Sequence, residues 1–172
     1  MLIVFGGLPG TGKTTVAQAL ARKLAAVYLR IDTLEQAIKE CDGGRADIGA
    51  AGYQAAYRVA GDNLRLGSTV VADSVNSLHL TRSAWSDVAF DAGVQIFEVE
   101  LVCSDAAMHR QRVEERKADI PGFPLPTWTN VLERQYDAWE SEHLIVDTAI
   151  VSVEQAVEAI TQRLPLIAVT RI

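Results

Sequence analysis

The run Gly7-Leu8-Pro9-Gly10-Thr11-Gly12-Lys13-Thr14 constrains this chain more than any other feature. It fits the pattern G-x-x-x-x-G-K-[ST], which works as a loop between a strand and a helix. Its glycines let the backbone curl until successive N–H groups point inward and form a nest for an anion. The helix that follows adds the positive end of its dipole. In such a loop Lys13 sets a point charge at the β- and γ-phosphates of a nucleoside triphosphate, and the Thr14 hydroxyl ligates magnesium. The expected cofactors are ATP and Mg2+. Gly7, Leu8, Pro9, Gly10, Thr11, Gly12, Lys13, Thr14 and Thr15 would surround the phosphates, with Thr15 more a helix residue than a ligand. A chance glycine turn is the plainer alternative. Against it, the apolar run Leu2–Phe5 precedes the loop and the helix-like stretch Thr14–Leu24 follows, as the motif requires.

Strand-length apolar runs and helix-period stretches alternate through the rest of the chain. Strands are expected at Leu2–Phe5, Val27–Ile31, Thr69–Ala72, Gln95–Val102 and Leu144–Asp147. Helices are expected at Thr14–Leu24, Thr33–Glu40, Asp47–Leu66, Thr81–Ala92, Ser104 to about Lys117, Thr127 to about Glu140, and from Ser152 to before Pro165. Thr81, Ser104, Thr127 and Ser152 read as N-caps, and Gly67 and Gly93 as helix stops. Pro121-Gly-Phe-Pro-Leu-Pro126 suits neither a regular helix nor a central strand and reads as a mobile loop. This order implies a three-layer α/β/α fold around a five-stranded parallel sheet. The 172 residues suit one domain spanning the chain, with a short lid over about residues 110–127.

Charge narrows the partners. Acidic residues outnumber basic ones 22 to 16, a net charge of −6, whereas a polyanion-binding surface needs an excess of Lys and Arg. Nucleic acid is therefore not an expected partner. Cys41 and Cys103 form neither a disulfide framework nor a metal pair, and His79, His109 and His143 show no metal-ligand spacing. The N-terminus lacks the features of a signal peptide, and no apolar run reaches the length of a membrane span. A cytoplasmic location without membrane contact is the expectation; the oligomeric state is not legible.

Several P-loop classes are disfavoured. A GTPase needs a guanine-reading N-K-x-D, which the chain lacks, and Asp119-Ile-Pro-Gly122 spells D-x-x-G only within the proline loop. A ring-forming ATPase pairs Asp-Glu after an apolar strand with a separate helical domain; here the strand ends in Asp73-Ser74 and the chain is short.

Four features in order then carry a family resemblance: the P-loop; Leu29-Arg30-Ile31-Asp32; Val70-Val71-Ala72-Asp73-Ser74-Val75-Asn76 with Arg82; and Arg112-Val113-Glu114-Glu115-Arg116. From Leu2 to about Ala149 the chain resembles the small P-loop kinases that include polynucleotide kinase, chloramphenicol phosphotransferase, gluconate kinase and the zeta toxins. The resemblance implies a nucleoside monophosphate kinase-like core and transfer of the γ-phosphoryl group of ATP to a hydroxyl.

It also implies roles. Asp32 would accept the proton of the substrate hydroxyl, although a helix cap is the plainer use of an aspartate there. Asp73 would hold magnesium or contact the acceptor, with Asn76 and Arg82 beside it. Arg112 and Arg116, four apart and so on one helix face, would close over the γ-phosphate, unless they only salt-bridge a solvated face. Trp85, Trp128, Trp139, Tyr53 and Tyr57 read as core, and Asp147 and Thr148 fall near where the resembling kinases hold adenine.

The acceptor is less legible. Polynucleotide kinases of this kind carry an arginine three residues after the aspartate; here that position is Glu35, which repels phosphate. The stretch from Arg30 to Leu66 sets Arg30, Lys39, Arg45, Arg58 and Arg65 against six acids. A small hydroxylated or cationic acceptor is expected. A 5′-hydroxyl nucleic-acid or nucleotide kinase and a nucleotide-binding switch stay open beside it.

Overall fold

A computed structural model of the protein describes residues 1–41, 43 and 47–165. Arg45, counted above among the basic residues, lies outside them. Five strands form one parallel sheet: β1 Leu2–Gly6, β2 Val27–Arg30, β3 Val70–Asp73, β4 Ile96–Val102 and β5 Leu144–Asp147, ordered β2-β3-β1-β4-β5. Seven helices connect them among the described residues: α1 Lys13–Leu24, α2 Ile31–Cys41, α3 Ala51–Arg65, α4 His79–Asp91, α5 Ala106–Glu115, α6 Trp128–Leu132 and α7 Val153–Arg163.

Strand β1 is buried throughout and still shows the period of two that separates the faces of a sheet. Ile3 and Phe5 pack with Val16 and Leu20 of α1 and with Val157 and Ile160 of α7. Leu2 and Val4 pack on the other face with Ala56, Ala60 and Leu64 of α3 and with Trp85 of α4. The two cores fix β1 at the centre, so the loop that follows it opens at the middle of the carboxyl edge. Parallel sheets bind ligands at that edge.

Several element ends differ from expectation. Helix α2 starts at Ile31, directly after β2, so Asp32 sits in its first turn rather than capping a helix that begins at Thr33. Leu78, not Thr81, is the N-cap of α4, and Asp105, not Ser104, caps α5 by accepting from the Met108 N–H at 2.9 Å. Thr127 and Ser152 do cap α6 and α7, each in a reciprocal capping box.

The largest departure is the stretch from Glu133 to Glu140, expected as helix and found irregular. It crosses the face of β4 that α4 leaves uncovered, where the strand presents Glu98 and Glu100. Tyr136 donates to Glu100 at 2.8 Å, Ser141 donates to Glu98 at 2.6 Å, and Trp139 stacks on His143 with ring centres 4.5 Å apart. Tyr136 lies within this stretch, and Ser141 and His143 follow directly after it. Tertiary hydrogen bonds have overridden local propensity.

Candidate active site

Register brings three sequence-distant segments together. Phe5 pairs with Asp73 and Asp73 with Arg30, so the P-loop, the end of β3 and the start of α2 share one sheet edge. Gly7, Gly10 and Gly12 hold φ of 132°, 87° and 88°, left-handed values that favour glycine. Gly10 also lacks room: a Cβ there would meet Val113 Cγ2 of α5 at 2.5 Å. Gly10→Ala is expected to lose nucleotide affinity by tenfold or more. It should also cost about 1–3 kcal/mol of stability from strain and overlap, readable together in a thermal melt with and without MgADP.

Lys13 is buried and its Nζ donates to the Leu8 carbonyl at 2.8 Å. Burial pushes its pKa down to about 8, against the pull of Asp73 and Asp32. Asp73 is 3% exposed and accepts a 2.6 Å hydrogen bond from the Tyr28 hydroxyl. Asp73 lines the second cavity together with Lys13 and Thr14. Together Asp73 and Thr14 offer the oxygen donors that Mg2+ takes, one carboxylate and a hydroxyl alongside phosphate.

Burial pushes the Asp32 carboxyl above its ordinary value, opposed by Arg30 and Lys13 and reinforced by Asp73. Arg30 lies 3.7 Å from Asp32 and grips Asp119 with both terminal nitrogens, while Arg116 approaches Asp119 at 3.7 Å. Asp119 thereby ties the segment after α5 to the end of β2.

Two cavities meet at Lys13, Thr14 and Arg116. The first, about 480 Å³, runs outward from Gly10 and Gly12 past Arg112, Lys117, Thr148 and Val151. The second, about 510 Å³, is bounded by Asp32, Asp73, Ser74, the proline loop, Glu133 and Arg134. A third of about 260 Å³ shares Asp32, Ser74, Phe123 and Arg134 with the second and continues to Glu35 and Tyr53.

The two expected arginines both line the first cavity, but not from one helix face. Helix α5 ends at Glu115, and Arg116 turns extended with ψ of 133°, leaving the face it would share with Arg112. Arg112 donates to the Thr148 hydroxyl at 2.8 Å and its carbonyl at 3.0 Å, and both residues line the first cavity. Arg116 stays at the junction, and the second cavity adds Arg134, which sequence reasoning missed and whose charge Lys13 also feels. Nothing in the expected helix over 127–140 pointed Arg134 inward; the irregular stretch does.

Asn76 and Arg82 are corrected as well. Asn76 is fully buried at φ 50° and lines neither cavity. Arg82 donates to the Asp137 carbonyl at 2.8 Å and lies 4.6 Å over the Trp139 ring, holding down the irregular stretch away from the cavities. Trp128 packs against His109 rather than in the second cavity. Tyr53 packs against the core as expected and also borders the third cavity.

Comparison with known proteins agrees with this architecture. The family model described as AAA domain, AAA_33, matches residues 2–139. Among solved structures the chain is similar to a candidate kinase from Chloroflexus aurantiacus, at 23% identity and TM-score 0.72, covering 94% of this chain and 93% of that one. It is similar to a gluconokinase from Sinorhizobium meliloti, at 20% identity and TM-score 0.60, covering 93% and 91%. It is also similar to the Mycobacterium tuberculosis APS kinase CysC solved with AMPPNP and APS, at 23% identity and TM-score 0.60, covering 93% and 95%. A search of curated proteins finds no significant match. No helix among the described residues is long and apolar enough to cross a membrane. The chain belongs to the AAA_33 family of AAA-domain proteins and has the fold of the small P-loop kinases.

Proposed function

We propose that the protein is an ATP-dependent phosphotransferase that moves the γ-phosphoryl group to a hydroxyl of a small-molecule acceptor. The observation that carries this reading is the meeting of two cavities at Lys13, Thr14 and Arg116, one running along the P-loop and the other holding Asp32. A hydrolase or switch needs one ligand cavity; a transferase needs two that share the transferred group.

In this reading ATP lies along the first cavity, its adenine end near Arg112 and Thr148, and its γ-phosphate reaches the junction. Magnesium, held by Thr14 and Asp73, would neutralise charge on the β- and γ-oxygens. Arg116 and Arg134 flank the junction and offset charge that grows on the equatorial oxygens. Asp32 orients the acceptor hydroxyl in line and takes its proton late.

The acceptor side carries Asp32, Glu35 and Glu133 beside Arg116 and Arg134. Burial, reinforced by Asp32, holds the Glu35 carboxyl above its ordinary value. Such lining favours a compact hydroxylated molecule over a nucleic-acid strand.

ADP release with MgATP across sugars, sugar acids, aminoglycosides, phenicols, nucleosides and short 5′-hydroxyl oligonucleotides tests the proposal. One small acceptor is expected to raise turnover well above the idle rate. Stimulation by oligonucleotides alone would move the reading to a 5′-hydroxyl kinase. Tight ATP binding that no acceptor and no protein-free mixture of cell metabolites stimulates would favour a switch.

A further inference from the structure

His109 is a buried imidazole on α5 to which neither the motif nor the proposed reaction gives a part. Its Nε2 lies 2.8 Å from the Pro9 carbonyl oxygen. A carbonyl only accepts, so Nε2 carries the proton. Trp128 of α6 stands edge-on against the ring, with centres 5.1 Å apart and planes 82° apart, and the ring also flanks Gly10.

The consequence follows from peptide geometry. A trans peptide is planar, and its C=O and N–H point in opposite directions; the described chain has no cis bonds. Drawing the Pro9 C=O toward α5 therefore turns the Gly10 N–H away from α5, to the concave side of the loop. The same relation recurs two peptides on. There the Thr148 hydroxyl donates to the Thr11 carbonyl at 2.9 Å, which turns the Gly12 N–H inward. Gly10 and Gly12 both line the first cavity. The Leu8 carbonyl, by contrast, is bonded by Lys13 Nζ and the Thr11 hydroxyl, at 2.8 and 2.9 Å, from within the loop itself.

We infer that His109 is a positioning residue of the phosphate cradle: from α5 it holds the Pro9–Gly10 peptide so that the Gly10 N–H faces the nucleotide phosphates. Trp128 keeps the ring upright, so the cradle and the helix after the proline loop share one support. The inference rests on the reading of the P-loop as a nucleotide site.

Calorimetric titration with MgADP separates the two. If the wild-type protein does not bind MgADP, the nucleotide reading itself fails. If it binds, His109→Leu should weaken binding about tenfold or more, the scale of one lost hydrogen bond to a charged group. His109→Gln, whose side-chain N–H2 reaches the Pro9 carbonyl, should stay within about threefold by the same reckoning. In amide spectra the Gly10 proton should move downfield on MgADP addition in wild type and His109→Gln but not in His109→Leu. Should the leucine variant not fold, the shorter amide of His109→Asn takes its place. The inference is overturned if His109→Leu or His109→Asn folds and binds MgADP like wild type, or if His109→Gln loses as much as they do.

Discussion

Lys13→Met is expected to lose about 10²–10³-fold in phosphoryl transfer and yet to melt no lower than the wild-type protein at pH 7. The two halves have one cause. Lys13 is buried beside the loop it serves, and burial pushes its pKa down to about 8 from 10.5. Carrying its charge in the folded, ligand-free state at neutral pH therefore costs about 3 kcal/mol. The sign follows from proton counting. Between pH 8 and 10.5 the unfolded chain binds more protons at this lysine than the folded one, so stability rises with pH across that window. Methionine fills similar space without the charge and removes the cost. Part of the gain is offset because Asp73 and Asp32 lose a cation that both of them feel. When triphosphate enters, the same charge meets its partners, which is where the stored cost is recovered. Melts at pH 7 and 9.5, with steady-state ADP release, check the claim. A variant that melts several degrees lower, or that keeps its turnover, would show that Lys13 is structural.

This expectation was largely legible in the sequence, because the P-loop motif specifies its own local structure: glycines at positive φ, a strand before, a helix after. The strands were legible for a similar reason, since runs such as Leu2–Phe5 are apolar enough for a sheet covered on both faces, although the edge strand Leu144–Asp147 leaves Ile145 exposed. What was not legible depends on contacts distant in sequence. The stretch after α6 has helical propensity but is held by tertiary contacts, Tyr136 on Glu100 and Arg82 on the Asp137 carbonyl; it stays irregular, and Arg134 lines the second cavity. Arg112 and Arg116 share a face only while the helix lasts, and α5 ends one residue short of Arg116. Arg82 was a candidate ligand because it completes one feature of the family resemblance, yet its guanidinium is occupied by Asp137 and Trp139, whose positions no local pattern announces. His109 was invisible for the opposite reason. A lone histidine on a helix carries no signal until the carbonyl it holds, a hundred residues earlier, is in place.

Asp32→Asn is the second large expected effect: turnover with the best acceptor should fall by about 10²–10⁴-fold, while MgADP affinity changes little. The structure supplies the reasons for both parts. Asp32 borders the second and third cavities but not the first, so its replacement leaves the first cavity's lining intact, and Lys13 keeps the buried Asp73 as a neighbouring charge. Arg30 loses a neighbour at 3.7 Å but keeps the two-point grip on Asp119, so the end of β2 stays anchored. The pH profile adds a signature that a fold defect would not imitate. Burial holds the Asp32 carboxyl above its ordinary value, and a base must be ionised to work. Activity should therefore fall on acidification at a pH above the usual carboxylate range, with a slope of one proton, and that limb should vanish from whatever activity the asparagine variant retains. The competing use of Asp32 is as a first-turn carboxylate on α2, favourable toward the helix dipole by about 0.3–1 kcal/mol. That role predicts a slightly lower melting temperature and unchanged turnover. Wild-type turnover in Asp32→Asn would show that Asp32 is not the base and leave it the helix-dipole role alone.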